Sequence, residues 1–341
     1  MAQITQAFVL GAGLGTRLRP LTDDLPKPLV PIFQKPLITF ALDHLIELDV
    51  TKFFVNTHHQ PERFAEIFGR DGSPSRPPGV FGAPGGRALP TRGNYRDFDI
   101  HFFHEPELLE TAGGIANIAD SLGEGPLLVY NADILTDLPL ARLIDNHVRA
   151  GNMVTLALRS ALGPKHIALN RNTGRVVDIR NLLGSGAPQE FVFTGICIVE
   201  RAFVDLLERG VKRSVIPHFL DLIRRGEKFG GIVIDEGNWW DVGNRDSYLQ
   251  LHRDLSALEF PTYPANDPNW KRAVHHTALV HPSAELRGCS VVGENCTVGA
   301  GAILHDTILW PGAQIASQSR LQNCIVRTHR KAAGVHRDLD I

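Results

Sequence analysis

Three glycines and two cationic residues suited to phosphate binding follow the apolar run at residues 7–10. They are Gly11, Gly13, Gly15, Arg17 and Lys27. Glycine lets an anion approach backbone N–H groups closely, because no Cβ stands in the way. Arginine offers phosphate oxygens a planar fork of donors, and lysine offers a compact charge. The pattern therefore predicts a loop that binds a polyphosphate.

The spacing of this loop excludes two common phosphate-binding motifs. A dinucleotide fingerprint, G-x-G-x-x-G, needs its third glycine one position later than Gly15, and Pro20 disfavours an uninterrupted helix. A P-loop needs Gly-Lys followed by Ser or Thr, which occurs nowhere in the chain. An ordinary glycine-rich turn is the plain alternative. The prolines on both sides of Lys27 argue against it, because they restrict the backbone and so help to aim the side chain.

Two aspartates are candidates for a metal site. Asp133 follows the apolar run at residues 127–130, and Asp241 lies in the segment W-W-D-V-G at 239–243. Mg²⁺ prefers oxygen ligands and usually binds through one or two carboxylates together with substrate phosphates. A turn or helix-capping role is the alternative for a lone aspartate at the end of a strand.

The elements that would position these residues alternate along the first 250 positions. Short apolar runs predict strands at 7–10, 53–55, 127–130 and 153–158, and amphipathic patterns predict helices at 37–48 and 138–150. This rhythm predicts an α/β fold with a Rossmann-like, mainly parallel mixed sheet flanked by helices, whose ligands lie beyond the carboxyl ends of the strands. Residues 69–94 are rich in glycine and proline, which predicts a mobile surface insertion.

A second pattern begins near residue 275. Aliphatic residues recur every six positions and, after a slip of one residue, resume at the same spacing: Val280, Leu286, Val292, Val298, Leu304, then Leu309, Ile315, Leu321. A hexapeptide period with glycine-rich turns predicts a short parallel β-helix. We therefore expect a catalytic domain at 1–255, a linker at 256–274, a β-helix at 275–330 and a C-terminal tail at 331–341.

Composition limits the partners of the chain. The formal net charge of −2 gives no overall attraction to nucleic acid or to an anionic membrane, and no apolar stretch approaches the length of a membrane span. The four cysteines form no C-x-x-C pair, which favours reduced thiols in a cytoplasmic protein. The adjacent histidine pairs at 58–59 and 275–276 are interpreted as surface or turn residues, because neighbouring side chains point apart.

The string at residues 11–32 resembles the signature of the sugar-1-phosphate nucleotidyltransferases, G-x-G-x-R-L-x-P-L-T followed by P-K-P-L-V-P. Weaker similarity extends along most of the chain, and the hexapeptide tail resembles the left-handed β-helix of many members. The resemblance implies attack of a sugar 1-phosphate on the α-phosphorus of a nucleoside triphosphate, with Mg²⁺ as cofactor, and a role in nucleotide-sugar synthesis for cell-envelope polysaccharide. Arg17 and Lys27 would be the catalytic cations.

The resemblance also implies the remaining site residues. The expected nucleotide contacts are Leu10, Gly11, Ala12, Gly13, Gly15, Thr16, Arg17 and Lys27, with Thr111, Ala112 and Gly113 beside the base. The expected sugar contacts are Asn131, Thr194, Gly195 and Arg180. The expected metal ligands are Asp133 and Asp241. The family's Glu-Lys-Pro, whose lysine holds the sugar phosphate, is missing, so Arg180, Lys165 and Arg213 are its candidate substitutes.

Several alternatives stay open at this point. Residues 109–114 resemble N-acetylmuramate-1-phosphate uridylyltransferases, whereas the β-helix resembles mannose-1-phosphate guanylyltransferases, so UTP and GTP are both candidates. A non-catalytic regulatory subunit of the same fold is the alternative to an enzyme, and the presence of all four candidate catalytic and metal residues favours the enzyme. A β-helix that transfers acyl groups is a further hypothesis. The short repeat favours a packing module or one that forms a homo-oligomer.

Overall fold

A computed structural model describes residues 4–69, 91–260 and 268–341 of the chain. The chain divides into two compact units. The sheet unit comprises Met1–Leu14 and Phe40–Asp241, and the β-helix unit comprises Gly15–Thr39 and Val242–Ile341. None of the helices in the described ranges is long and apolar enough to cross a membrane.

Fourteen strands occur among the described residues up to position 241. In chain order they are β1 (Gln6–Leu10), β2 (Pro31–Ile32), β3 (Lys35–Pro36), β4 (Lys52–Thr57), β5 (Thr91–Tyr95), β6 (Phe98–His104), β7 (Leu127–Asn131), β8 (Ile134–Thr136), β9 (Val154–Arg159), β10 (Ile167–Asn170), β11 (Arg175–Ile179), β12 (Val192–Val199), β13 (Phe229–Val233) and β14 (Trp239–Asp241). The helices of the described ranges are α1 (Ile38–Ile46), α2 (Pro61–Phe68), α3 (Glu110–Asn117), α4 (Ala141–Ala150), α5 (Arg201–Val204), α6 (Ile216–Arg224) and α7 (Arg245–Ala257).

The sheet unit is built on one ten-stranded mixed sheet in the order β10-β11-β13-β9-β12-β7-β1-β4-β6-β5. β1 pairs in parallel with β4 and β7, whereas β12 runs antiparallel between β7 and β9. The predicted α/β class with a Rossmann-like sheet is confirmed. Every residue of the run 7–9 is fully buried, which is typical of a parallel strand covered on both faces. The core continues from such strand residues to Ile115 of α3 and Phe219 of α6.

Two boundaries differ from the sequence prediction. The helix predicted at 138–150 begins only at Ala141, and it ends at Ala150, where Gly151 caps it with a φ of 57°. Residues 91–94 of the predicted insertion belong instead to β5, which pairs antiparallel with β6. The remainder of that insertion, residues 70–90, lies outside the described residues.

The β-helix unit confirms the hexapeptide period. Its strands are β15 (Leu279–Val280), β16 (Glu285–Arg287), β17 (Val291–Val292), β18 (Thr297–Val298), β19 (Ile303–His305), β20 (Ile308–Leu309), β21 (Gln314–Ile315), β22 (Arg320–Gln322), β23 (Ile325–Val326), β24 (Lys331–Ala332) and β25 (Val335–Arg337). They form three parallel ladders, in the orders β15-β18-β21-β24, β16-β19-β22-β25 and β17-β20-β23. The periodic aliphatic residues and small residues such as Ala302 fill the interior.

The predicted tail at 331–341 is corrected by the structure. β24 and β25 continue two of the ladders, and Ile341 N–H donates to the Ile325 carbonyl at 2.8 Å. The β-helix therefore continues past residue 330. Backbone pairing persists there, although the aliphatic residues no longer recur every six positions. The segment Gly15–Thr39 also groups with the β-helix rather than with the sheet. The linear boundaries at 255 and 275 stay a prediction.

Candidate active site

The predicted phosphate loop leaves β1 at Leu10. The Leu10 carbonyl accepts a hydrogen bond from Ala132 N–H at 3.1 Å, which joins the ends of β1 and β7. The next two N–H groups, of Gly11 and Ala12, donate to Oδ1 of Asn56 at 2.8 Å and 3.3 Å. This corrects the expectation that the Gly11 N–H is presented to an anion, because a buried side chain already satisfies it. Gly13 remains exposed, and a Cβ there would meet no described atom within 4 Å.

Asn56 and Glu105 form a buried polar pair behind this loop. Nδ2 of Asn56 donates to Oε1 of Glu105 at 2.7 Å, and Leu109 N–H donates to Oε2 at 2.9 Å. Glu105 has no exposed surface, and burial raises the pKa of its carboxyl against the opposing effect of these two donors. The pair therefore connects the loop after β1 to Leu109, the residue that precedes α3.

The second glycine-bearing turn, predicted to lie beside the base, opens α3. Ala112 and Gly113 donate their N–H groups to the Arg213 carbonyl at 3.0 Å and 3.3 Å. These two groups are thus engaged within the protein, whereas Thr111 is half-buried. A Cβ at Gly113 would lie 2.4 Å from the Val211 carbonyl oxygen, so close packing accounts for the glycine. Contact with the base through this turn stays a prediction.

Backbone pairing brings the two candidate metal ligands near each other in the fold. β14 pairs antiparallel with β8, and Asp241 stands opposite Ile134, the residue that follows Asp133. Opposed Cα atoms of an antiparallel pair lie about 5 Å apart, so the backbones of two residues separated by 108 positions in sequence lie close together in the sheet unit. Asp241 is exposed and Asp133 half-buried. Two carboxylates with access to solvent suit Mg²⁺, which completes its shell with phosphate oxygens and water.

The expected sugar contacts at Thr194 and Gly195 have structural roles. Thr194 is fully buried, and its hydroxyl donates to the Ala157 carbonyl at 2.9 Å. Gly195 has a φ of 84°, and a Cβ there would lie 2.9 Å from Nδ2 of Asn131. Glycine is needed at 195 because of this φ and because the Asn131 side chain packs against the position, where the register of β12 shifts. The predicted contact between the Thr194 side chain and a sugar conflicts with this burial.

Arg180, the last expected sugar contact, follows β11 with a φ of 55°. Its N–H donates to the His166 carbonyl at 2.7 Å, and His166 in turn donates to the Phe191 carbonyl at 2.9 Å. Phe191 immediately precedes β12, so the backbone of His166 connects Arg180 to the start of the strand that carries Thr194. Arg213 ion-pairs with Glu208 at 3.7 Å on the surface. The residue that holds the sugar phosphate stays a prediction.

The remaining loop residues belong to the β-helix unit. Gly15 adopts a φ of 61°, and a Cβ there would lie 2.9 Å from Cγ2 of Thr22, so glycine is required at the turn. Thr16 and Arg17 follow it in a 3-10 turn and are exposed. Lys27 opens a second 3-10 turn, between two prolines, and only 7% of its surface is exposed. The prolines thus fix the Lys27 backbone, as the sequence predicted.

Sequence reasoning missed Asn56 and Glu105. Each follows an apolar run at the carboxyl end of a parallel strand, β4 for Asn56 and β6 for Glu105. The rule that points to Asp133, a polar residue at or just beyond the carboxyl end of a buried strand, also points to both.

Comparisons with known proteins identify the family. A family model described as nucleotidyl transferase matches residues 6–166. The chain is similar to a mannose-1-phosphate guanylyltransferase of Mycobacterium tuberculosis, with 30% identity over 91% of this chain and 80% of that protein. It is also similar to a UTP–glucose-1-phosphate uridylyltransferase of Synechocystis, with 24% identity over 94% of this chain and 87% of that protein.

A solved structure shares the fold. It is described as a putative glucose-1-phosphate thymidylyltransferase from Bacillus anthracis in complex with sucrose, and it matches with a TM-score of 0.59 and 15% identity. The match covers 77% of this chain and 99% of that one.

Proposed function

The chain belongs to the nucleotidyl transferase family and is a sugar-1-phosphate nucleotidyltransferase, and we propose that its substrates are GTP and mannose 1-phosphate. One observation carries this choice of substrates. The 30% identity to the mycobacterial mannose-1-phosphate guanylyltransferase extends over 91% of the chain, and so includes the β-helix as well as the sheet. Plant relatives with the same kind of name are 26% identical over 95% of the chain.

The proposed reaction needs no nucleophilic side chain. A phosphate oxygen of the sugar 1-phosphate attacks the α-phosphorus in line and forms a new P–O bond. The bond from the α-phosphorus to the bridging oxygen breaks, and pyrophosphate leaves with its electron pair. The difficulty is to bring two polyanions together. Arg17 and Lys27 are proposed to offset their charge, and the exposed Gly13 N–H is a further donor for phosphate.

Asp133 and Asp241 are proposed to hold Mg²⁺. When bound, this ion would neutralise phosphate charge and orient the phosphates. The register between β8 and β14 supports the assignment, because Asp241 pairs with Ile134, the residue that follows Asp133. No other acidic group is assigned to the metal.

Pyrophosphate release tests the proposal. Purified protein with Mg²⁺ is supplied with each nucleoside triphosphate in turn and with a panel of sugar 1-phosphates. We expect the highest kcat/KM with GTP and mannose 1-phosphate, and a loss of about 10²–10³-fold in an Arg17→Met variant. A higher kcat/KM with UTP, or with another sugar, would refute the substrate assignment. No turnover with any pair would refute the catalytic activity itself.

We also propose that the β-helix mediates self-association of a cytoplasmic enzyme. Leu279 on β15 and Val335 on β25 expose 72% and 77% of their surface, although both are large and apolar. A second copy of the chain could cover such residues. Light scattering coupled to size exclusion should then give a mass above 37.5 kDa. A monomer mass at micromolar concentration would contradict this assembly.

A further inference from the structure

The phosphate loop is held by a residue of the β-helix. Nη1 of Arg327 donates to the Pro20 carbonyl at 3.0 Å and to Oδ2 of Asp24 at 2.8 Å. Pro20 lies three positions after Arg17, and Asp24 lies three positions before Lys27. The guanidinium therefore binds the loop midway between Arg17 and Lys27.

Arg327 is itself fixed on the β-helix. It directly follows β23, its backbone N–H donates to the Ile341 carbonyl at 2.8 Å, and its Nε donates to the same carbonyl at 3.3 Å. Only 14% of its side chain is exposed. Arg330 reaches the same Asp24 carboxylate at 3.2 Å, but 49% of its side chain is exposed. An ion pair is stronger where water is excluded, so Arg327 should contribute more than Arg330.

Hydrogen bonds within the loop hold it together, so a contact at its middle restrains the whole segment. The Gly15 carbonyl accepts hydrogen bonds from Leu18 N–H and from the Thr22 hydroxyl, both at 2.9 Å. Asp23 N–H donates to the Pro20 carbonyl at 3.1 Å. These bonds tie residues 15–24 into one compact turn, and movement of Pro20 or Asp24 would carry Arg17 with it.

A second contact holds the loop on the other side of Lys27. The Tyr248 hydroxyl on α7 donates to the Pro31 carbonyl at 2.6 Å and accepts from Nε1 of Trp310 at 2.9 Å. Tyr248 and Trp310 are both fully buried. Trp310 follows β20 of the β-helix, so the chain of hydrogen bonds runs from the β-helix through α7 to the loop. Buried hydrogen bonds of this kind specify one arrangement, because an unpaired group there is costly.

We propose that the β-helix positions the catalytic loop of this enzyme, with Arg327 and the Tyr248–Trp310 pair as positioning residues on either side of Lys27. The inference rests on the proposed roles of Arg17 and Lys27. It assigns the β-helix a part in the reaction in addition to any part in assembly.

Steady-state kinetics test the proposal with a matched pair of variants. Arg327→Met should lower kcat about 10-fold, which corresponds to about 1.4 kcal/mol, and should leave the KM for the sugar 1-phosphate unchanged. Arg330→Met removes a charge from the same turn and the same carboxylate, and should change kcat less than 2-fold, in line with the small contribution of an exposed ion pair. Arg327→Lys keeps the charge and should recover part of the loss. Equal kcat values for Arg327→Met and Arg330→Met would overturn the proposal.

A double-mutant cycle separates positioning from a general structural effect. If Arg327 acts by positioning Arg17 and Lys27, the 10-fold loss from Arg327→Met should become smaller when Arg17 or Lys27 is already methionine. A loss of the same size in wild type and in both of these backgrounds would show that Arg327 acts independently of the two cations, and would refute the proposal.

Hydrogen exchange gives a readout that does not depend on turnover. Peptides that cover residues 15–39 should exchange faster in Arg327→Met and in Tyr248→Phe than in wild type or Arg330→Met. This distinguishes the two possible failures. An inactive wild type with a loop released by Arg327→Met would refute the proposed function alone, whereas an active wild type with unchanged loop exchange would refute the positioning role alone.

Discussion

The buried pair of Asn56 and Glu105 allows a sharp test of how the phosphate loop is held to the sheet. Asn56→Asp keeps the oxygen that accepts from Gly11 and Ala12. It replaces Nδ2, which now donates to Glu105 across 2.7 Å, with a second carboxylate oxygen. Two buried carboxylates cannot both be ionised at this distance, so they must share a proton. The change alters almost no volume, and its effect is therefore electrostatic.

The expected loss of stability follows from the free energy needed to keep one of the two carboxyls protonated in the folded variant. The carboxyl of Glu105 has an ordinary pKa of 4.5. Keeping it protonated at pH 7 costs about 3 kcal/mol, at about 1.36 kcal/mol per pH unit. The melting temperature should fall by roughly 5–10 °C at pH 7. The pKa of the pair is raised in the folded state, so the penalty shrinks as pH falls toward 4.5 and grows as pH rises.

A second substitution should reverse the effect. In Asn56→Asp combined with Glu105→Gln, the glutamine amide donates to the aspartate and its oxygen still accepts from Leu109 N–H, so every group is satisfied. Thermal melts at pH 5 and pH 7 should place this double variant within about 1 kcal/mol of wild type. Glu105→Gln alone is the control, and it should be destabilised because two amide donors would then compete for too few acceptors. A double variant no more stable than Asn56→Asp would refute this account of the pair.

Three further predictions address the metal site, the Asn131 contact and a buried histidine. Asp133→Asn should lower kcat by on the order of 10²–10³, with little change in melting temperature, and full activity in a Mg²⁺ titration would contradict its role as ligand. Gly195→Ala should lower stability by about 1–3 kcal/mol, because its φ of 84° and the Asn131 amide leave no room for a Cβ; an unchanged melt would contradict this. Burial lowers the pKa of His252 to about 4, so the unfolded chain binds the proton more readily and stability should fall as pH drops from 6.5 to 4, by up to about 3 kcal/mol. His252→Gln should weaken that dependence in pH-resolved melts, and an identical slope would contradict it.

The parts of the fold that the sequence predicted correctly have strong local signals. β1 and β7 are continuous apolar runs, and the β-helix repeats a fixed period. Each can therefore be predicted from its own segment of sequence, without information about the segments that pack against it. The position of β12 is different, because an antiparallel strand inserted between β7 and β9 has the same apolar composition as a parallel one. Sheet order depends on pairing between distant segments, and no local pattern encodes it.

The same distinction applies to the candidate site. Asp133 could be selected because it follows a buried strand, but its proximity to Asp241 depends on the register of β8 against β14. The family resemblance predicts a sugar contact at Thr194, and the structure buries the side chain of this residue in the sheet. A motif identifies residue types, whereas burial and hydrogen-bond partners decide which side chains remain available to a ligand.

The phosphate loop shows most clearly that residues far away in sequence can hold a segment in place. Position 20 is 307 residues from Arg327, and the guanidinium meets a backbone carbonyl there, a partner that any residue type could supply. An arginine in a hexapeptide turn is expected from sequence to be exposed to solvent. Only 14% of the Arg327 side chain is exposed in the structure, where it pairs with Asp24 of the loop. A chain cut at the predicted boundary of 255 would keep Arg17, Lys27 and both aspartates proposed as metal ligands. It would lose Arg327 and Trp310, and with them the contacts that hold the loop on either side of Lys27. The domain predicted to end at 255 would therefore contain all four proposed catalytic and metal-binding residues but lack the contacts that hold the segment between Arg17 and Lys27.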